Sequence, residues 1–177
     1  MYKSTMVYFP LLLLSLLLLS CDTEAPTTPM LTSIPTEDWD KRQVNISPVD
    51  SFEAGKTYLS SYSEIYVQSQ HRKMGLTGTI SMRNINMTDT IYLETANYYN
   101  TNGSKNRSYF DAPIYLAPLE TIEIIITQDD IEAGSGDNFV FSWQKPPGSQ
   151  DPFFEGVFIT VYGQQGISFT TRGIRIE

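Results

Sequence analysis

The residues best placed to do chemistry lie in a single loop, where Asp129, Asp130, Glu132, Asp137 and Asn138 bring four carboxylates and an amide oxygen together among glycines. Hard cations such as Ca²⁺ take six to eight oxygen ligands, so such a loop is a candidate calcium site. Its spacing departs from the EF-hand pattern of alternating Asp or Asn followed by Gly, and a solvated acidic loop is the default expectation. No other cofactor is suggested. The one histidine, His71, stands beside Arg72 and Lys73 in an expected turn and reads as a surface residue. Gly134-Ser135-Gly136 lacks the spacing and strand-to-helix setting of a nucleophile elbow, so no serine triad is expected. Glycan hydrolysis by paired carboxylates needs two acids at a fixed separation. Glu120 and Glu123 fall on opposite faces of a strand and should not converge. The chain therefore offers no catalytic set, and a non-enzymatic role is expected.

A different chemistry is written at the N-terminus. The run Met6–Leu19 is apolar except for Pro10 and Ser15, follows one basic residue, Lys3, and ends in Leu18-Leu19-Ser20-Cys21. It is shorter than the roughly 20 apolar residues that span a bilayer and reads as a cleavable signal. A small residue directly before the cysteine, with Leu three positions before it, is the pattern of lipoprotein signal peptidase. Cys21 is the expected site of lipid attachment, including palmitate, and two or three acyl chains suffice for stable anchoring. Residues 1–20 are thus expected as signal peptide, placing the mature chain in a bacterial cell envelope on a membrane leaflet the sequence does not specify.

Cys21 is the only cysteine, so no disulfide can form within the chain and stability must come from a core. Removing Lys3 with the signal takes the formal charge from −8 to −9. An acidic chain without clustered Lys and Arg is not expected to bind nucleic acid. The expected partners are the membrane, through Cys21, and an envelope protein or glycan.

Pro26, Pro29, Pro35 and Pro48 lie among Thr, Ser, Asp and Glu, which marks residues 21–57 as lipidated cysteine and linker, because too little apolar surface is available to offset ordering entropy. Trp39 and Val44-Asn45-Ile46 are the linker residues with apolar surface to dock. From about residue 58 the hydrophobic period becomes two, as in half-buried strands. Leu76, Ile80 and Met82 share one face with Gly78, and Phe139, Phe141 and Trp143 another. Strands are predicted at about 58–67, 74–85, 90–99, 107–116, 120–127, 138–144, 153–162 and 166–175, with Gly, Pro and Asn turns between them. The fold expected for 58–177 is an all-β, antiparallel, immunoglobulin-like sandwich of about seven to eight strands.

Strand parity then sets the ends. Loops near 68–73, 100–106, 128–137 and 163–165 should emerge together, carrying His71, Asn102, Asp129, Asp130, Asp137, Gln164 and Gln165 as candidate recognition groups. The Tyr98-Tyr99 pair should put one ring on each face of its strand. A glycan-directed hydrolase or a purely structural envelope component are the alternatives to a binding module.

Six stretches complete the reading: Tyr62-Ser63-Glu64-Ile65-Tyr66, Ser81-Met82-Arg83-Asn84, Tyr98-Tyr99-Asn100-Thr101-Asn102-Gly103, Leu116-Ala117-Pro118-Leu119-Glu120-Thr121, Gly134-Ser135-Gly136-Asp137-Asn138-Phe139 and Gly163-Gln164-Gln165-Gly166-Ile167-Ser168-Phe169. Through them the chain resembles the bacterial domain of unknown function 3124 family over about residues 58–175. The resemblance implies an exported, lipid-anchored β domain with no assigned activity. It supplies no functional residue. Asp137 departs from the small residue expected after the Gly-Ser-Gly turn.

Overall fold

The period-two segments do form strands. The structure, a computed structural model, describes residues 37–47 and 51–177, which belong to one unit running from Glu37 to Glu177. The expectations for the signal peptide and for Cys21 lie outside the described residues.

The strands are β1 (Glu53–Ser60), β2 (Glu64–Tyr66), β3 (Lys73–Gly75), β4 (Thr77–Arg83), β5 (Ile91–Tyr99), β6 (Lys105–Ser108), β7 (Ile114–Leu116), β8 (Thr121–Ile126), β9 (Asn138–Lys145), β10 (Phe153–Tyr162), β11 (Gln165–Arg172) and β12 (Ile174–Arg175). One sheet runs β12-β1-β9-β5-β6, with β7 also on β5; the second runs β11-β10-β4-β8; β2 and β3 form a separate hairpin. All pairings between strands are antiparallel. The fold is thus the expected all-β antiparallel sandwich.

The core lies between the two sheets. Leu93, Ala96, Phe139, Phe141 and Trp143 are buried from one side, and Ile80, Met82, Ile122, Ile124, Phe154 and Phe158 from the other. Phe141 and Phe154 stack across the gap with centroids 4.2 Å apart. Each such buried ring contributes on the order of 2–3 kcal/mol through its apolar area. Trp143 fits because Gly55 faces it: a Cβ there would lie 2.4 Å from Trp143 Cζ2.

Several predicted strands are divided, each for a local reason. The span 58–67 breaks after Ser60: Ser61 N makes the last backbone bond towards β9, to Asp137 O at 2.9 Å, and Ser63 N then turns to the Asp137 carboxylate at 2.8 Å. The span 166–175 breaks at Gly173, where the chain passes from one sheet to the other: Gly173 N donates to Phe154 O at 2.9 Å, and a Cβ would lie 2.7 Å from Thr57 Cγ2. The span 107–116 becomes β6 and β7, both against β5. Strand β1 begins at Glu53, ahead of the predicted 58. Part of the predicted linker packs on the sandwich: Trp39 meets Phe110 at 5.4 Å, Val44 N donates to Pro113 O at 2.9 Å, and Gln43 bridges to Ile114.

The registers fix two opposite ends. Ser60 and Tyr99 both pair with Asn138, so the chain after β1, the chain after β5 and the chain before β9 meet at one end. At the other, Glu53 pairs with Lys145, and Arg83 lies between Phe153 and Thr121.

Candidate functional site

Two of the loops expected at this end, 100–106 and 128–137, meet beside a residue that points inward. Thr101 N donates to Ala133 O at 2.9 Å, Thr101 Oγ1 donates to the same carbonyl at 3.0 Å, and Gly136 N donates to Thr101 Oγ1 at 3.0 Å. Gly134 has φ +89, and a Cβ on it would meet Thr101 Oγ1 at 2.7 Å, which accounts for glycine at this crossing.

Asp137 follows this turn and is 1% exposed. Its carboxylate accepts from Ser61 Oγ, Ser63 Oγ, Ser63 N at 2.8 Å and Tyr98 Oη at 2.7 Å, while its carbonyl accepts from Ser61 N. A buried carboxylate is tolerated when its lone pairs are met in this way. Burial pushes the Tyr98 phenol's pKa well above the ordinary tyrosine value, with the Asp137 carboxylate adding to the rise. Arg107 sits over the rings of Tyr98 and Tyr109 at 5.2 and 5.5 Å, donates to Tyr109 Oη at 3.1 Å and pairs with Asp130.

The residues of the candidate cation loop, Asp129, Asp130, Glu132, Asp137 and Asn138, are engaged separately. Asp137 is turned into the core, Asp130 is held by Arg107, and Asn138 starts β9, so the oxygens face different partners. Among the described residues no group of three or more His, Cys, Asp or Glu is arranged to hold a metal. Asp129 and Glu132 are exposed.

The remaining recognition candidates stay at the surface of this end. His71 is exposed, with its ring 3.2 Å from Gln70 Nε2. Asn102 Oδ1 accepts from Ser104 N and Oγ at 2.9 and 2.6 Å, and Gln164 and Gln165 are exposed in the β10–β11 hairpin. Beside that hairpin lies an open cleft of about 480 Å³, lined among others by Gln128, Ile159, Val161 and Ile167. Tyr98 is buried and Tyr99 half-buried on the other face, as strand alternation requires. Glu120 is tied to Arg42 at 2.7 Å and to Ala117 N at 2.7 Å, whereas Glu123 accepts from Ser81 Oγ at 3.1 Å.

Sequence reasoning missed a second polar cluster at the opposite end. Asn84 Nδ2 donates to Asp89 O, Leu116 O and Ala117 O at 2.7, 3.0 and 3.0 Å, and Asn84 Oδ1 accepts from Asn86 N and Nδ2, both at 2.9 Å. The Asn86 side-chain amide in turn donates from Nδ2 to Gln150 O and accepts at Oδ1 from Gln150 N. Each asparagine reads alone as a turn residue, and nothing in the local sequence says that three loops share them.

A two-layer antiparallel sandwich, with polar loops collected at one end and strapped to a buried carboxylate, is the class of protein these observations define. The chain belongs to the family described as "Protein of unknown function (DUF3124)", whose model matches residues 54–176. Among solved structures, that described as the crystal structure of Thermotoga maritima 1070 is similar with a TM-score of 0.41 and 7% identity, covering 68% of this chain and 92% of that one. No curated protein matched.

Proposed function

We propose that the protein is a membrane-anchored lipoprotein of the bacterial envelope, held through Cys21, and that it acts as a non-enzymatic binding module. The observation that carries the reading is the segregation of the two ends. His71, Asn102, Asp129, Gln164 and Gln165 are exposed on loops at the end to which the strand registers point, and the hairpin carrying Gln164 and Gln165 adjoins the cleft lined by Ile159, Val161 and Ile167. Glu37, the first described residue, shares the guanidinium of Arg42 with Glu120, at the other end. A tether entering there leaves the polar loops and the apolar cleft facing away from the bilayer. A rigid sandwich presenting loops is a common binding scaffold, and a mainly apolar lining with a few polar groups is the usual composition of a recognition site.

The rival reading, a glycan hydrolase, requires two carboxylates facing one cleft. Glu120 and Glu123 are each engaged by different partners, which favours the binding reading. The test is capture from envelope extracts by the acylated chain. Replacing Asp129, Gln164 and Gln165 by Ala should weaken capture at least several-fold, whereas replacing Thr88 and Pro147 at the tethered end should not. Equal capture by the two variants would remove the assignment of the recognition end. Unchanged detergent partitioning of Cys21→Ala would remove the anchor.

A further inference from the structure

The end at which the described chain begins carries an exposed apolar tip. Ile85, Met87 and Leu119 are 46%, 76% and 59% exposed. They lie on two loops joined backbone to backbone, because Leu119 N donates to Asn86 O at 3.1 Å and Asn84 N donates to Glu120 O at 2.9 Å. The tip is therefore one surface. It is also rigid: the Asn84 and Asn86 amides tie the β4–β5 loop to the β7–β8 turn and to Gln150.

Leu119 is held at a conformational cost. In the turn from Ala117 to Glu120, closed by Glu120 N donating to Ala117 O at 3.1 Å, Leu119 has φ +60. That is the left-handed region where glycine is at ease and a branched side chain is not. A strained leucine projecting into water gains nothing from the fold itself, and such strain is characteristic of a surface that meets a ligand. Nothing polar replaces it at the position where glycine would be free.

The chain's own connectivity identifies that ligand. Leu119 adjoins Glu120, which shares Arg42 with Glu37, so the polypeptide leading back to Cys21 departs from beside the tip. Only fifteen residues, 22–36, lie between Cys21 and Glu37 in the sequence. We infer that Ile85, Met87 and Leu119 form a membrane-contacting edge that dips into the headgroup region of the bilayer holding the Cys21 lipid. The edge orients the sandwich with its polar loops outward. Small apolar loop tips of this kind add a weak second contact to a lipid anchor, which fixes orientation more than it adds affinity.

The inference rests on the lipid anchor proposed above, and one experiment separates the two. Acylation consumes the Cys21 thiol, the only one in the chain, so an introduced cysteine becomes the single site for a polarity-sensitive fluorophore. The acylated full chain carrying Met87→Cys, and separately Gln164→Cys, is labelled and reconstituted into vesicles of phosphatidylethanolamine and phosphatidylglycerol. The label at 87 should shift to shorter wavelength and be quenched by a lipid-borne quencher, whereas that at 164 should keep its emission in water. Equal, water-like emission at both positions would overturn the membrane edge while leaving the anchor. A label at 87 already shifted before vesicles are added would assign the tip to a protein contact and overturn it equally. Labelling of the unsubstituted chain would show a free Cys21 and remove both anchor and edge.

Discussion

Tyr98 donates its phenolic hydrogen to Asp137 across 2.7 Å, joining the end of β5 to the loop that precedes β9. Ser61 and Ser63 complete the shell, so Asp137 governs where β1 stops, where β9 starts and how the loops at that end sit. Asp137→Ala leaves several buried donors without an acceptor and should cost at least about 3 kcal/mol. Tyr98→Phe removes one of them and should cost about 1–2 kcal/mol. Denaturant midpoints measure both, and an Asp137→Ala protein as stable as the parent would show that the network is dispensable.

The same pair gives an alkaline signature. Burial raises the Tyr98 pKa, so the native state keeps a proton that the unfolded chain releases above about pH 10. Stability is then fully present below about pH 10 and declines as pH rises beyond it. Tyr98→Phe should flatten that decline, leaving the smaller slope due to Tyr109, whose pKa burial also raises. Parallel alkaline melting curves for parent and variant would contradict the assignment.

Asn84 donates to three carbonyls through one amide nitrogen. Asn84→Asp turns that donor into an acceptor facing those carbonyls, and should destabilise the protein by about 2–4 kcal/mol at neutral pH. The loss should shrink in acid, where a protonated carboxyl can donate again. Thermal melts at pH 4 and pH 7 provide the comparison.

Leu119 occupies a left-handed backbone conformation. Leu119→Gly relieves that strain and should raise stability by up to about 1 kcal/mol, less the extra entropy of glycine in the unfolded chain. If the leucine contacts lipid, the stabilised variant should also orient less uniformly on vesicles. A gain in melting temperature with orientation unchanged would separate the strain from the contact.

Calcium at millimolar concentration should leave the melting temperature unchanged, because Asp130 and Asp137 already have partners. A rise that Asp129→Asn abolishes would restore the loop as a cation site.

Sequence alone determined the strands that pack as regular ladders. In β9 the alternation of Phe139, Phe141 and Trp143 with Val140, Ser142 and Gln144 specifies a strand and its buried face, because side-chain direction there depends only on parity. The same parity separated the loop ends, since each turn reverses the chain, and the six matched stretches pointed to the right family. What sequence left open was set by contacts between distant residues. Asp137 reads as one more acid in a solvated loop until Ser61, Ser63 and Tyr98 are brought around it, and their separation along the chain leaves no local trace. The breaks at Ser61 and Gly173, the docking of Trp39 on Phe110 and the sharing of Arg42 by Glu37 and Glu120 are of the same kind. Local pattern fixes which way a side chain points; only the packed fold decides what it meets, and whether an exposed carboxylate in the sequence becomes a ligand, an ion-pair partner or a buried hydrogen-bond hub.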